Sequence, residues 1–203
     1  DADIEAYRNG TKPSTDWYNE VFKKAAMETQ HSFSINGGSE KTTYMASLAY
    51  LFQDGLSQEK NYERYNGRVN LDSKIANWVS AGINASAYRG INNDEYSGFG
   101  SLLQWANRIP PTVPIYNEDG SFHFNGLDNP VANQGNTGIS RTMDQQLNAT
   151  AYLNITPIEG LSIKGLYNLR HDYRETYSFK KNYVYGNETS SKDSGKREGS
   201  RYH

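Results

Sequence analysis

Alternation of apolar and polar residues with period two dominates the chain. Between Tyr65 and Asp72, Tyr65, Gly67, Val69 and Leu71 share one face, and Asn66, Arg68, Asn70 and Asp72 share the other. Between Val79 and Ala87, Val79, Ala81, Ile83, Ala85 and Ala87 oppose Ser80, Gly82, Asn84 and Ser86. Gln146–Ile155 sets Leu147, Ala149, Ala151, Leu153 and Ile155 against Gln146, Asn148, Thr150, Tyr152 and Asn154. In Ser162–Arg170, Ile163, Gly165, Tyr167 and Leu169 oppose Ser162, Lys164, Asn168 and Arg170, with Leu166 the exception. Thr42–Phe52 aligns Tyr44, Ala46, Leu48, Tyr50 and Phe52, although Met45, Ala49 and Leu51 blur its other face. His31–Asn36 is a weaker strand with Phe33 and Ile35 on one side. These patterns predict six strands, most of about 9–11 residues, against about 5–6 in ordinary globular proteins.

That length has a geometric meaning. Ten residues rise about 33 Å, and a tilt of about 45° leaves about 24 Å of height, the apolar band of an outer-membrane barrel. The connections alternate in the same sense. Gly37–Lys41, Ser73–Trp78 and Thr156–Gly160 read as tight hairpins, whereas Gln53–Asn61, Arg89–Met143 and the tail Asp172–His203 are long and polar. Short turns at one end and long loops at the other predict an all-β, antiparallel up-and-down transmembrane β-barrel segment. A soluble sheet with one solvated face carries the same alternation, so a secreted β-sandwich that binds carbohydrate is the alternative.

Outside the strands, Thr15–Met27 predicts a short amphipathic helix with Trp17, Val21 and Ala25 at i, i+4 spacing and Thr15 or Asp16 as N-cap. Ser101–Phe124 is the most promising functional loop, because Trp105, Tyr116, Phe122 and Phe124 stand in a connection long enough to need a reason. These rings could stack on sugar or peptide, or form the loop's own small core, which is the reading we favour. Ser101–Asn107 suits one or two helical turns, and Tyr116–Ser121 reads as a hairpin turn. The tail Gly186–Arg201, rich in Gly, Ser and Lys, reads as a mobile loop. Tyr44, Tyr50, Tyr65 and Tyr167 suit aromatic girdles at membrane interfaces, although Tyr is common in any strand.

Composition narrows the classes. Of 203 residues, 35% are hydrophobic and 22% charged, and 16 are Tyr and 21 Asn, a composition suited to half-wet surfaces more than to a dry core. Mean hydropathy is −0.85, and no run reaches the ~20 apolar residues of a spanning helix. With no Cys there is neither a disulfide framework nor a thiolate metal site. A net charge of −2 argues against nucleic-acid binding. The chain starts at Asp1 with neither Met nor an apolar signal region, as expected of a mature, processed or excised segment.

No catalytic constellation is visible. His31, His123, His171 and His203 are far apart, and no G-x-S-x-G, Walker or H-E-x-x-H pattern occurs. Asp94–Glu95 lacks EF-hand spacing and reads as a solvated loop. We expect no catalytic, metal or cofactor site and no enzyme; a hydrolase would need two carboxylates at fixed spacing in a cleft. The N-x-S/T sites at Asn9, Asn84, Asn148, Asn154 and Asn187 read as incidental. Arg68, Asn70, Asn84, Asn148, Tyr152, Lys164 and Arg170 are the candidates for lining an aqueous lumen.

Several segments then stand together in an informative order: Thr15–Phe22 (TDWYNEVF), His31–Gly38 (HSFSINGG), Thr42–Tyr44, Arg64–Asp72 (RYNGRVNLD) and Pro110–Gly120 (PPTVPIYNEDG). This series resembles the SusC/RagA-type TonB-dependent outer-membrane transporters of Bacteroidetes over roughly residues 15–175. The resemblance implies the early part of a β-barrel of about 22 strands. Residues 1–28 would be a plug-to-barrel connection with a short helix, and 29–203 the first strands and extracellular loops. The plug, through which TonB acts, would lie outside this segment. It further implies import of oligosaccharide or peptide through the bacterial outer membrane, under a SusD-like lipoprotein lid, in a dimer of importer–lid pairs surrounded by outer-membrane lipid.

Overall fold

In the computed structural model the described residues are 2–180, apart from 13, 125, 127–128 and 135–137. Beyond Lys180 they are the backbone of 184–185, 188–189 and 196–202. Two helices come first, α1 (Ala2–Arg8) and α2 (Trp17–Val21). Then follow β1 (Glu28–Gly38), β2 (Thr42–Asp54), β3 (Asn61–Ala76) and β4 (Val79–Glu95), a long connection holding α3 (Phe99–Arg108) and α4 (Pro130–Asn133), and β5 (Gly138–Ile158) and β6 (Leu161–Lys180). A two-residue hairpin, β7 (Val184–Tyr185) with β8 (Glu188–Thr189), precedes β9 (Lys196–Tyr202).

β1 to β6 form one antiparallel sheet in chain order, and β9 adds to it beside β6. The six predicted strands are all present, but they are longer than the alternation suggests: β5 has 21 residues and β6 has 20. Twenty-one residues rise about 70 Å, well over the height of a bilayer's apolar band even when tilted. The excess lies towards the long connections, where both faces become polar and the period-two signal fades while the backbone ladder continues. Asn93 thus pairs with Arg141 and Thr142 with Thr176. The tail reading needs the corresponding correction, since its Lys196–Tyr202 portion is a strand paired with β6. Backbone pairing to an existing edge decides that, and a Gly/Ser/Lys-rich sequence does not announce it.

Cα partners across the ladder define two faces. One carries Phe33, Leu48, Gly67, Ala87 and Leu147 in one row, then Ile35, Ala46, Val69, Ala85, Ala149 and Leu169, then Tyr44, Leu71, Ile83, Ala151 and Tyr167. No described residue covers this face: Phe33 is 67% exposed, Leu48 66% and Tyr167 70%. A β-sandwich would bury those rows beneath a second sheet, and the only other described sheet is the β7–β8 hairpin. The architecture is therefore a wall segment of a transmembrane β-barrel with one uncovered apolar face.

The buried core lies elsewhere, in the cap at the long-connection end. Trp17, Val21 and Phe22 of the α2 segment interlock with Leu102, Ala106 and Ile109 of the α3 segment. The predicted 15–27 helix is only five residues long. It opens on Asp16, whose carboxylate accepts from the Asn19 amide, and it stops where Lys23 N–H turns to the Leu56 carbonyl (2.7 Å) in the β2–β3 connection. Residues 15–23 thus belong to the long-connection cap, with β1 running from there to the short-turn end. α1 has no counterpart in the periodicity reading.

Candidate functional site

Arg68, Asn70, Asn84, Asn148, Tyr152, Lys164 and Arg170 all lie on the face opposite the apolar one. Arg68, Asn148 and Arg170 fall in a single cross-strand row with Ser47 and Ser86. Two residues nearer the short turns, Asn70, Asn84, Thr150 and Asn168 form the next row. Asn168 Nδ2 donates to Asn148 Oδ1 (2.9 Å) and Thr150 Oγ1 (2.7 Å), bridging the two rows. Tyr152 O–H donates to Asp72 Oδ1 across β4, and the Lys164 ammonium stands 5.3 Å from the Tyr152 ring centroid. That crossing is open because position 82 is glycine: a Cβ there would strike the Tyr152 ring and lie 2.5 Å from Asp72 Oδ1.

Higher on this face, Arg64 Nε donates to Asn66 Oδ1 (2.8 Å) and its guanidinium lies 5.2 Å from the Tyr88 ring centroid. Ser47, Arg64, Asn66, Arg68, Tyr88 and Gln146 line a depression of about 360 Å³. Arg170 and Gln146 both donate to the Asp172 carboxylate, at 2.7 and 2.6 Å. The face thus offers amide, hydroxyl and guanidinium groups in both donor and acceptor senses over a broad area. That suits reversible contacts to solutes rich in hydroxyl or amide groups. Among the described residues, no cluster of three metal-ligating side chains occurs.

The loop aromatics divide. Trp105 packs against the cap core, as internal packing requires. Tyr116 and Phe122 form an antiparallel bridge with stacked rings 5.1 Å apart, closing the expected hairpin at Gly120 (φ 81°). Hydrogen bonds from the Ser121 hydroxyl and amide hold the Asp119 carboxyl of that turn below the usual carboxylate range. Tyr116 remains 51% and Phe124 38% exposed. The structure stacks Tyr116 on Phe122 and packs Trp105 against the cap core.

The periodicity reading missed the residues that hold the loop. Carbonyls of the 110–115 segment, where prolines donate no N–H, act as acceptors. Trp17 Nε1 donates to the Pro110 carbonyl (3.2 Å), the Thr15 amide to Pro111 (2.8 Å) and the Thr15 hydroxyl to Val113 (2.8 Å). Buried Asn129 accepts from the Val131 and Ala132 amides and donates to the Ile115 and His123 carbonyls. The Asn129–Pro130 pair, an N-cap followed by proline at the first helical position, was the available signal. Asp94–Glu95 is a correction: both end β4, and Glu95 is only 1% exposed, not solvated. Burial first, and the adjacent Asp94 carboxyl second, push the Glu95 carboxyl above its usual range, opposed by the Glu59 amide donating at 3.3 Å.

The geometry defines the class, a β-barrel wall segment with a packed cap at its long-connection end. Comparison supplies the family. The chain is 32% identical over 168 residues to the TonB-dependent receptor P26 of Formosa agariphila, covering 78% of this chain and 16% of that one. It is 33% identical over 114 residues to the TonB-dependent receptor SusC of Bacteroides thetaiotaomicron, covering 56% of this chain and 11% of that one. Among solved structures, the RagAB peptide importer in its 'open-open' state superposes with a TM-score of 0.70 at 26% identity, covering 85% of this chain and 20% of that one. No protein-family model matches. In sequence and in fold this chain is a segment of a SusC/RagA-type TonB-dependent transporter barrel, and it spans a fifth or less of the length of these relatives.

Proposed function

We propose that this segment serves outer-membrane nutrient import as part of a TonB-dependent, SusC-like transporter that takes up oligosaccharide or peptide beneath a SusD-like lipoprotein lid. The observation that carries the proposal is the two-sided sheet: one face apolar and uncovered, the other a continuous field of Asn, Ser, Thr, Tyr and Arg. The apolar face meets outer-membrane lipid. The polar face, including Arg68, Asn70, Asn84, Asn148, Tyr152, Lys164 and Arg170, lines the aqueous lumen. Short turns point to the periplasm and the α2–α3–α4 cap faces outward, so Trp105, Tyr116, Phe122 and Phe124 belong to the side where lid or substrate arrives. Residues 29–203 supply strands and outer loops. Residues 1–28 lead into them from whatever precedes, with Trp17–Phe22 already on the outer side. TonB acts through a plug, and importer–lid pairs assemble as dimers.

Passage of bulky polar solutes demands contacts strong enough to orient and weak enough to release, which neutral amides and hydroxyls provide better than fixed charges of one sign. The test uses the full-length transporter purified from detergent-solubilised outer membrane. It should retain a lipoprotein partner and bind either an oligosaccharide or a peptide ladder by calorimetry. Joint Arg68→Ala and Arg170→Ala replacement should weaken that binding by about tenfold, the loss expected for a pair of partly solvated polar contacts. Purification without a partner, together with no heat from either ladder, overturns the proposal.

A further inference from the structure

Along β3 the polar face carries two arginines, Arg64 and Arg68, with Asn66 between them. Arg64 is positioned without being neutralised: its Nε is spent on the Asn66 amide oxygen and its guanidinium lies over the Tyr88 ring. Arg68 is exposed and makes no hydrogen bond, ion pair or ring contact with a described residue. Both line the depression of about 360 Å³, and among the described residues no carboxylate lines it.

The carboxylates on this face of β1–β6 are engaged elsewhere. Asp172 takes Arg170 and Gln146, Asp144 takes Arg174, and Asp94 takes Lys60 (2.7 Å). Asp72 takes the Tyr152 O–H, and Glu28 takes the Gln53 amide (2.6 Å). The arginines of β6 thus each have a carboxylate of their own, and those of β3 have none. The hydrogen-bond inventory of the depression points the same way. Guanidinium groups only donate, and Asn66, with its oxygen on Arg64, has its N–H groups left to satisfy. Ser47 and Ser86 turn either way, and Gln146, whose N–H is spent on Asp172, keeps its carbonyl oxygen. A hollow dominated by donors calls for a group that only accepts. On β5 and β6 the chain itself shows the arrangement, a guanidinium and a carboxamide closing on the Asp172 carboxylate.

We infer that this depression is a seat for a carboxylate of the transported solute, and that the solute is an acidic oligosaccharide whose uronate units carry that group. The carboxylate lies on Arg64 and Arg68 with the Asn66 amide as third donor, a charge-assisted pairing that suits the planar guanidinium fork. Sugar hydroxyls, each both donor and acceptor, match Ser47, Ser86, Asn148 and the Gln146 carbonyl around it. A bound peptide seeks pockets for its side chains, and the aliphatic side chains lining this hollow are alanines. The inference deepens the import reading above and rests on this face lining the lumen.

The test is calorimetry on the full-length transporter in detergent. The probes are tetramers of galacturonate, glucuronate and mannuronate, each as free acid and as methyl ester, with maltotetraose and glutamate-rich peptides as comparisons. At least one free acid should bind, and its ester about thirtyfold more weakly. Arg64→Gln or Arg68→Gln should weaken the free acid by about fivefold and the pair by about thirtyfold, the loss of solvent-exposed charge-assisted hydrogen bonds. The ester's affinity should stay unchanged in the same variants, so that the preference collapses, a result that a folding defect would not give. Arg89→Gln, which removes one positive charge from the opposite face of the sheet, should alter neither. Equal binding of acid and ester, a preference that survives the double variant, the same loss in Arg89→Gln, or tighter binding of the acidic peptides than of every uronate each overturns the seat. Binding of maltotetraose or peptide without any uronate removes the seat and leaves the import reading standing. Purification without a lipoprotein partner and without heat from any probe removes both.

Discussion

At the scale of single residues, the chain places two unlike demands on β4 and β6. Gly82 is wanted because the Tyr152 ring crosses β4 to reach Asp72. Gly165 has nothing within 4 Å of its would-be Cβ. Gly82→Val should destabilise the full-length protein in detergent by about 1–3 kcal/mol through overpacking, whereas Gly165→Ala should leave its thermal unfolding midpoint unchanged; the same unfolding scan checks both. Glu95 supplies a pH dependence outside the membrane-crossing part of β4. Its carboxyl is raised by burial, so as pH climbs past the ordinary carboxyl value the unfolded loop loses its proton while the folded one keeps it. The cap's stability is therefore fullest below the unfolded pKa and falls as pH rises to the raised folded one. Hydrogen exchange at residues 55–60 should quicken from pH 5 to pH 8 beyond the intrinsic rate change, and Glu95→Gln should abolish that excess.

Elements reveal which packing is local. The cap is a small hydrophobic core made from pieces nearly ninety positions apart, Trp17–Phe22 and Leu102–Ile109, and its buried side chains come from outside the strands. Leu102 is fully buried, and truncating it to alanine should cost about 2–5 kcal/mol of cap stability. Exchange protection should fall across 99–109 and 15–23 while β2–β5 keep theirs; a uniform loss through the sheet would show that cap and wall fold as one unit. This core was only partly legible. Trp17 and Val21 at i, i+4 spacing marked a helix with a buried side, and the 110–115 prolines marked an extended run. Nothing local showed that the first would hang from the carbonyls of the second, because hydrogen bonds across such separations leave no periodic trace. Glu95 was misread for a related reason: a charged residue beside Asp94 looks solvated until the 55–60 turn folds over it.

On the scale of the whole molecule, the two faces should respond oppositely to charge. Val69 and Asn70 are neighbours on β3 facing opposite sides. In the full-length transporter reconstituted in lipid, Val69→Arg should cost about 2–4 kcal/mol, the penalty for arginine near the middle of a lipid-facing wall. Asn70→Arg should be nearly neutral in the same folding assay. A similar cost at both positions would mean that both faces are buried alike. The 203-residue chain alone, exposing Phe33, Leu48 and Tyr167, should require detergent; monomeric elution and a cooperative near-UV melt in plain buffer would refute the wall architecture.

Sequence alone determined the two-faced strands, their order, the alternation of short and long connections, and the membership of all seven polar candidates in one face. Each follows from a period-two pattern, and a strand of alternating character has only one way to sort its side chains. Tertiary structure decided how far the ladders run beyond the apolar band, where the tail joins the sheet, and which loop residues are buried. Those outcomes depend on backbone pairing and on contacts between segments distant in the chain, and neither imposes a local repeat on the residues that make them.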